Sequence, residues 1–221
     1  MRPRVFIGYD KDEAGAAYVL AHSIHTRASI LPEINFLNRD CLRGIFTRER
    51  GEYDSTDFSI SRFLIPYLCD YQGYAVFMDS DMVCVDDIAR LWAWRDDKAV
   101  RVVKHNHNPD ETTKFLNQPQ TKYGRKNWSS VVLFNNAKCQ ALTLEYVNTA
   151  DGLDLHQFKW LDEEPGDLPN HWNKLVGYDK TPNPSLIHYT KGIPAFKDYA
   201  NCDHHDEWWK AFTLMTFINN E

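Results

Sequence analysis

No run of about 18 consecutive apolar residues occurs in the 221-residue chain, so no segment is expected to cross a membrane as a helix. No apolar leader opens it either. Met1-Arg2-Pro3-Arg4 leads straight into the strand-like Val5-Phe6-Ile7, and a cytoplasmic protein is the expectation. Basic residues are in deficit, 25 Lys and Arg against 31 Asp and Glu, which argues against nucleic acid as a partner, because phosphates need a basic face. The five cysteines (Cys41, Cys69, Cys84, Cys139, Cys202) are odd in number and far apart. Without a C-x-x-C pair they suggest neither a zinc knuckle nor a redox dithiol, and reduced thiols are expected. Internal repeats, low-complexity tracts and linkers are also missing, so residues 1–221 are read as a single domain.

Apolar runs and helical spacings are present, and they alternate. Val5-Phe6-Ile7, Ile34–Leu37, Tyr74–Met78, Val100–Val103, Val131–Phe134 and Leu186–Tyr189 are short apolar stretches of strand length. Between them, Ala14, Ala17, Tyr18, Ala21 and Ile24 recur at helical spacing, as do Ile60, Phe63, Leu64, Tyr67 and Leu68. Ser55 or Thr56 could cap the second helix, and Pro66 should kink it. Further helical patterns lie near Ile88–Trp94, Cys139–Val147 and Glu207–Ile218. Strand–helix alternation implies an α/β architecture whose mainly parallel sheet is covered by helices.

The most informative stretch is Phe77-Met78-Asp79-Ser80-Asp81. Two carboxylates separated by one residue follow a buried strand, and ligands of open α/β sheets bind at the carboxyl ends of strands. Mg²⁺ or Mn²⁺ prefers oxygen ligands and would offset the repulsion between the two charges. A polar turn before a helix fits the same residues, since Asp86-Asp87 soon follow. Two reaction classes place D-x-D after a strand. Haloacid-dehalogenase-like phosphohydrolases use the first Asp, here Asp79, as nucleophile, but their signature sits on the first strand and continues to a Thr or Ser where this chain has Val83. Nucleotide-sugar-dependent glycosyltransferases of the GT-A fold use D-x-D to hold a divalent ion against a diphosphate. A third possibility is a non-catalytic carbohydrate-binding module built on aromatic platforms, suggested by the 14 % aromatic content.

Several stretches resemble glycosyltransferase family eight and closely related GT-A enzymes over most of the length: Val5-Phe6-Ile7-Gly8-Tyr9-Asp10, Ser59–Pro66 with its Arg62, Phe77–Asp81, and Leu186-Ile187-His188-Tyr189-Thr190-Lys191-Gly192. The resemblance implies a GT-A-like single domain that moves a hexose from a UDP- or GDP-sugar to a glycan, lipid or protein acceptor, with retention. It implies a Mn²⁺ or Mg²⁺ held by Asp79, Asp81 and His188, and donor contacts from Gly8, Tyr9, Asp10, Arg62, Ser80, Lys191 and Gly192. Two departures stand out. Gly192 follows His188 at four residues rather than three, and the family's D-x-x-D-Q segment is missing.

The residues themselves offer further candidates. Asn127, Trp128, Ser129 and Ser130 combine an aromatic face with small hydrogen-bonding groups before a strand, which suits a sugar ring. His156 lies in a second such stretch. A catalytic base, needed if transfer inverts, could be Asp162 or Asp167. Asp203-His204-His205-Asp206 precedes a helical pattern, where capping explains it better than metal binding.

Overall fold

The computed structural model of the protein describes residues 2–51, 54–106 and 124–216. Among them lie the strands β1 (Arg4–Tyr9), β2 (Glu33–Asn38), β3 (Tyr74–Met78), β4 (Met82–Cys84), β5 (Val100–Val102), β6 (Val131–Asn135), β7 (Gly166–Asp167), β8 (Lys174–Leu175) and β9 (Leu186–His188). The helices are α1 (Ala14–Arg27), α2 (Ile65–Leu68), α3 (Ile88–Trp92), α4 (Leu144–Thr149), α5 (Gly152–His156) and α6 (His205–Thr216). Six strands form a sheet in the order β2-β1-β3-β6-β5-β7. Its strands run one way except β6, which is antiparallel to both β3 and β5. This is the mainly parallel α/β architecture that the apolar runs predict. Val5, Ile7, Ala75, Val76, Phe77 and Met78 are each 0 % exposed, as expected for central strands covered on both faces.

A second sheet, in the order β4-β9-β8, places β9 between an antiparallel and a parallel neighbour. It arises because the chain leaves β3 through Asp79-Ser80-Asp81 and enters β4 at once. The stretch 186–189 therefore belongs to this small sheet. Val83, Ile187 and Tyr189 pack with Val19 of α1 and Trp208 of α6 in one apolar cluster.

Local chemistry moved several expected boundaries. The helix expected over 60–68 is a 3₁₀ turn, Ser61–Leu64, followed by the four-residue α2. Pro66 sits in the first turn of α2, where its missing N–H costs nothing, so it permits a restart instead of kinking a longer helix. Neither Ser55 nor Thr56 caps it; Thr56 donates its backbone N–H to Ser59 Oγ in the preceding turn. The helix expected from Cys139 starts at Leu144, because Thr143 Oγ1 accepts from the Tyr146 N–H at 3.0 Å. Residues 217–218 of the last expected helix lie outside the described residues.

All five cysteines are free thiols, with Cys41 exposed and Cys69, Cys84 and Cys139 buried. Burial pushes the Cys84 and Cys139 thiols up to about 12. Ellman's reagent at neutral pH should therefore modify Cys41 quickly, and Cys84 and Cys139 only once the chain is denatured. Modification of Cys84 in the folded protein at the rate of Cys41 would contradict this packing.

Candidate active site

Asp79 leaves β3 at the carboxyl edge of the large sheet. Its backbone N–H donates to Ser130 O at 3.0 Å, continuing the β3–β6 ladder one step past the Met78–Val131 pair. Its Oδ1 lies 2.8 Å from Arg62 Nη1. Arg62 is 5 % exposed, so its charge needs partners. Besides Asp79 it has the carbonyls of Ser59 (3.0 Å, from Nε) and Ser129 (2.8 Å, from Nη1). The guanidinium lies over the rings of Phe77 and Phe58, 4.5 and 5.4 Å from their centroids. Gly8 makes this packing possible: a Cβ there would come within 2.4 Å of the Phe58 ring.

His188 reaches the same spot through strand register. It pairs with Met82 across β4–β9, one residue after Asp81, and the Tyr189 N–H donates to Asp81 O at 2.9 Å. The imidazole is 3 % exposed. Its Nε2 lies 3.2 Å from Asp81 Oδ1 and 3.9 Å from Asp79 Oδ2. One ligand atom from each of Asp79, Asp81 and His188 lies within 4.8 Å of the other two. Donors about 2.1 Å from a hard divalent ion are roughly 3 Å apart when adjacent and about 4 Å when opposite, so these spacings suit a shared cation. The two carboxylates are donors that Mg²⁺ and Mn²⁺ both accept, and the imidazole nitrogen, a softer donor, suits the transition ion Mn²⁺ better than Mg²⁺.

The other donor candidates are placed less uniformly. Tyr9 is flanked by Tyr18 and Phe36 at 6.3 and 6.1 Å, edge to face, so part of its ring packs against neighbouring aromatics. Asp10 is 4 % exposed and accepts from the N–H groups of Asp12 and Asp57 at 3.0 Å each; its carboxylate caps a turn. Ser80 is fully buried and its hydroxyl donates to Glu13 at 3.4 Å, tying the loop after β3 to the turn before α1. Lys191 Nζ stands 4.5 Å from the Tyr178 ring centroid. Gly192 has φ +150°, and a Cβ would meet the Tyr199 ring at 2.4 Å. Its missing side chain thus makes room for the Tyr199 ring.

The sugar candidates cluster beside Asp79. Asn127, in left-handed backbone at φ 64°, accepts at its carbonyl from Ser130 Oγ at 2.6 Å. Ser129 Oγ lies 2.7 Å from His156 Nδ1, and the His156 ring abuts Phe63 edge to face at 5.3 Å. Trp128 donates to His105 O at 2.9 Å, with Lys104 and Arg125 5.8 and 5.3 Å from its ring centroid. Its ring is a partner for cations more than an open platform. Asn127 Nδ2 and, beyond β9, Thr190 Oγ1 are buried without a hydrogen-bond partner among the described residues. A native fold seldom leaves such groups unpaired unless a ligand or water completes them.

Asp162 and Asp167 part company. Asp162 helps line a cavity of about 460 Å³ with Arg125, Gln157 and Glu163. Asp167 ends β7, its side chain 74 % exposed and 3.1 Å from Lys104 Nζ. β7 lies three strands from β3, roughly 14 Å at the usual strand spacing. His204 is not a bare cap: its Nε2 lies 2.7 Å from Lys174 Nζ, a lysine 6 % exposed. Sequence reasoning missed Phe58 and Asn173, neither of which carries a motif of its own. Asn173 Oδ1 lies 2.9 Å from His188 Nδ1.

No family model matches the chain. It is similar to Protein CDI of Arabidopsis thaliana, 46 % identical over 217 residues, covering 93 % of this chain and 84 % of that protein. Among solved structures, the bifunctional glycosyltransferase WbbM in its apo form superimposes with a TM-score of 0.66 at 17 % identity, over 96 % of this chain and 49 % of that one. The apo glycosyltransferase GlyE of Streptococcus pneumoniae TIGR4 gives 0.62 at 14 % identity, over 97 % and 62 %. The galactosyltransferase LgtC, solved with donor and acceptor sugar analogues, gives 0.60 at 12 % identity over 98 % of both. The chain thus spans about half of WbbM and under two thirds of GlyE. At these identities the likeness establishes the fold, which is GT-A-like.

Proposed function

The chain belongs to the family of the Arabidopsis thaliana Protein CDI, and from that premise and its GT-A-like fold we propose that it is a metal-dependent glycosyltransferase transferring a hexose from a UDP- or GDP-sugar. The observation that carries this reading is the convergence of Asp79, Asp81 and His188 within 4.8 Å. These residues come from the exit of β3 and from β9, two segments that nothing but the fold brings together. Asp79, Asp81 and His188 would hold Mn²⁺ or Mg²⁺, which when bound supplies Lewis-acid stabilisation of the charge that grows on the departing nucleoside diphosphate. Arg62 holds one oxygen of Asp79, so that the other faces Asp81 and His188. Lys191 adds a cation near the diphosphate, and Gly8, Tyr9, Asp10, Ser80 and Gly192 shape the donor pocket, mostly by packing and backbone.

The hexose would lie against Asn127, Ser129, Ser130 and His156, where the buried Asn127 amide nitrogen offers a donor to a sugar hydroxyl. We take transfer to be retaining, in keeping with the resemblance to family eight. Were it inverting, Asp162 is the better base, because it lines a cavity able to admit an acceptor whereas Asp167 is engaged by Lys104. The GT-A-like fold favours this reading over the haloacid-dehalogenase alternative, and the cations near the Trp128 ring favour it over the carbohydrate-module one. Residues 1–221 act as one catalytic domain on this reading, with an acceptor that is a glycan, a lipid or a protein. Among the described residues no helix is long and apolar enough to cross a membrane.

Calorimetric titration with UDP and with GDP, each with and without Mn²⁺, tests the proposal. One nucleotide should bind about tenfold or more tightly with the ion, at least about 1.4 kcal/mol. Equal affinities with and without metal for both nucleotides would remove the central support.

A further inference from the structure

His188 is held from behind as well as faced by the two carboxylates. Asn173 is 0 % exposed and stands immediately before β8, which pairs in parallel with β9 and sets Leu175 opposite His188. Its side-chain orientation follows from a short chain of hydrogen bonds. Ser130 Oγ donates its one proton to Asn127 O at 2.6 Å, because a carbonyl can only accept. The same Oγ must then accept from its other close neighbour, Asn173 Nδ2, at 2.8 Å. Asn173 Nδ2 also points at Asn127 O, at 3.4 Å, an oxygen that only a donor can approach. With the amide nitrogen so placed, Asn173 Oδ1 is the atom 2.9 Å from His188 Nδ1.

An amide oxygen accepts, so the proton of the imidazole sits on Nδ1. In the neutral ring Nε2 then carries the lone pair, and Nε2 is the atom 3.2 Å from Asp81 and 3.9 Å from Asp79. A lone pair aimed at carboxylate oxygens is repelled unless a cation lies between them. We infer that Asn173, oriented through Ser130 by the Asn127 carbonyl, is a positioning residue that presents His188 Nε2 as a ready metal ligand. The inference rests on the cation reading of Asp79, Asp81 and His188, and adds to it the residue that selects the ligating form of the imidazole. It also gives the left-handed Asn127 a second task, since its carbonyl starts the chain.

Removing the partner behind a metal-bound histidine typically weakens metal binding about 10–100-fold. Asn173→Ala should therefore weaken Mn²⁺ by that factor, followed by loss of the free-ion electron paramagnetic resonance signal on titration of the full chain. Asn173→Asp keeps an acceptor opposite Nδ1 and should retain most of the affinity. Circular dichroism and thermal melts establish that each variant is folded. A folded Asn173→Ala that binds Mn²⁺ like wild type overturns the inference, as does a folded Asn173→Asp as weak as the alanine variant. His188→Ala and Asp81→Asn separate the two levels: if these bind Mn²⁺ as tightly as wild type, the cation reading itself falls and takes the inference with it. Should Asn173→Ala not fold, two-bond ¹H–¹⁵N spectra of the metal-free wild type, taken well above the usual histidine range, decide the matter. A protonated Nδ1 in His188 supports the inference, and a protonated Nε2 overturns it.

Discussion

Asp81→Asn should abolish metal-dependent nucleotide binding and lower hexose transfer by about a thousandfold or more while leaving the protein as stable as wild type, or more so. The activity loss follows from removing one of three candidate ligands to an ion that supplies several kcal/mol of charge stabilisation, each 1.36 kcal/mol being about a factor of ten in rate. The stability expectation has the opposite sign because the amide keeps the shape of the carboxylate and relieves its repulsion from Asp79. Residues placed for chemistry commonly cost stability in this way, and gains of about 1 kcal/mol on replacing them are ordinary. Thermal melts and Mn²⁺-dependent transfer assays on the same preparation check both halves. A melt lowered by many degrees would mean that Asp81 serves the fold, and full activity would remove it from the site.

Arg62→Met is expected to be the most destabilising single change around the site. The guanidinium and Asp79 are 6 % and 16 % exposed at the side chain and 2.8 Å apart. Deleting one member of a buried ion pair strands the other, at about 3–5 kcal/mol. For a chain of this size that corresponds to a fall in Tm of roughly 6–20 °C. The carbonyls of Ser59 and Ser129 lose their donor as well, and the Phe58 and Phe77 rings lose the cation between them. Adding Asp79→Asn to Arg62→Met removes the stranded carboxylate and should recover part of the loss. A double-mutant cycle from urea titrations would show a coupling of about 1–3 kcal/mol. Additive single effects would show that the pair is not what holds Arg62 in place.

Arg62 shows how far a sequence can be read. An arginine among Ile60, Phe63, Leu64 and Ile65 must be buried with a partner, and Asp79 was a foreseeable one because it too follows an apolar run. The backbone carbonyls that share the guanidinium were not foreseeable, since any carbonyl could serve. The resemblance gave Gly8 as a donor contact, and the Phe58 ring packed against it became visible only when β1 and the segment before Arg62 were brought together. The helix expected across Pro66 failed for a local reason: periodicity records which face is apolar, but not that proline is better accommodated in a first turn than in a helix middle. Lys191 and Gly192 matched the family's motif in the sequence, whereas their neighbours, the rings of Tyr178 and Tyr199, became visible only in the fold.

The amino-acid sequence by itself determined the central strands and the acidic pair at the mouth of β3, because burial on both faces demands continuous apolar runs and a two-residue carboxylate spacing is a local property. The family resemblance pointed to His188 as the pair's partner, but tertiary structure decided how its imidazole faces that pair and that Asn173 stands behind it. Those placements depend on the register of β9 between β4 and β8, where a slip of one residue would turn the imidazole to the opposite face.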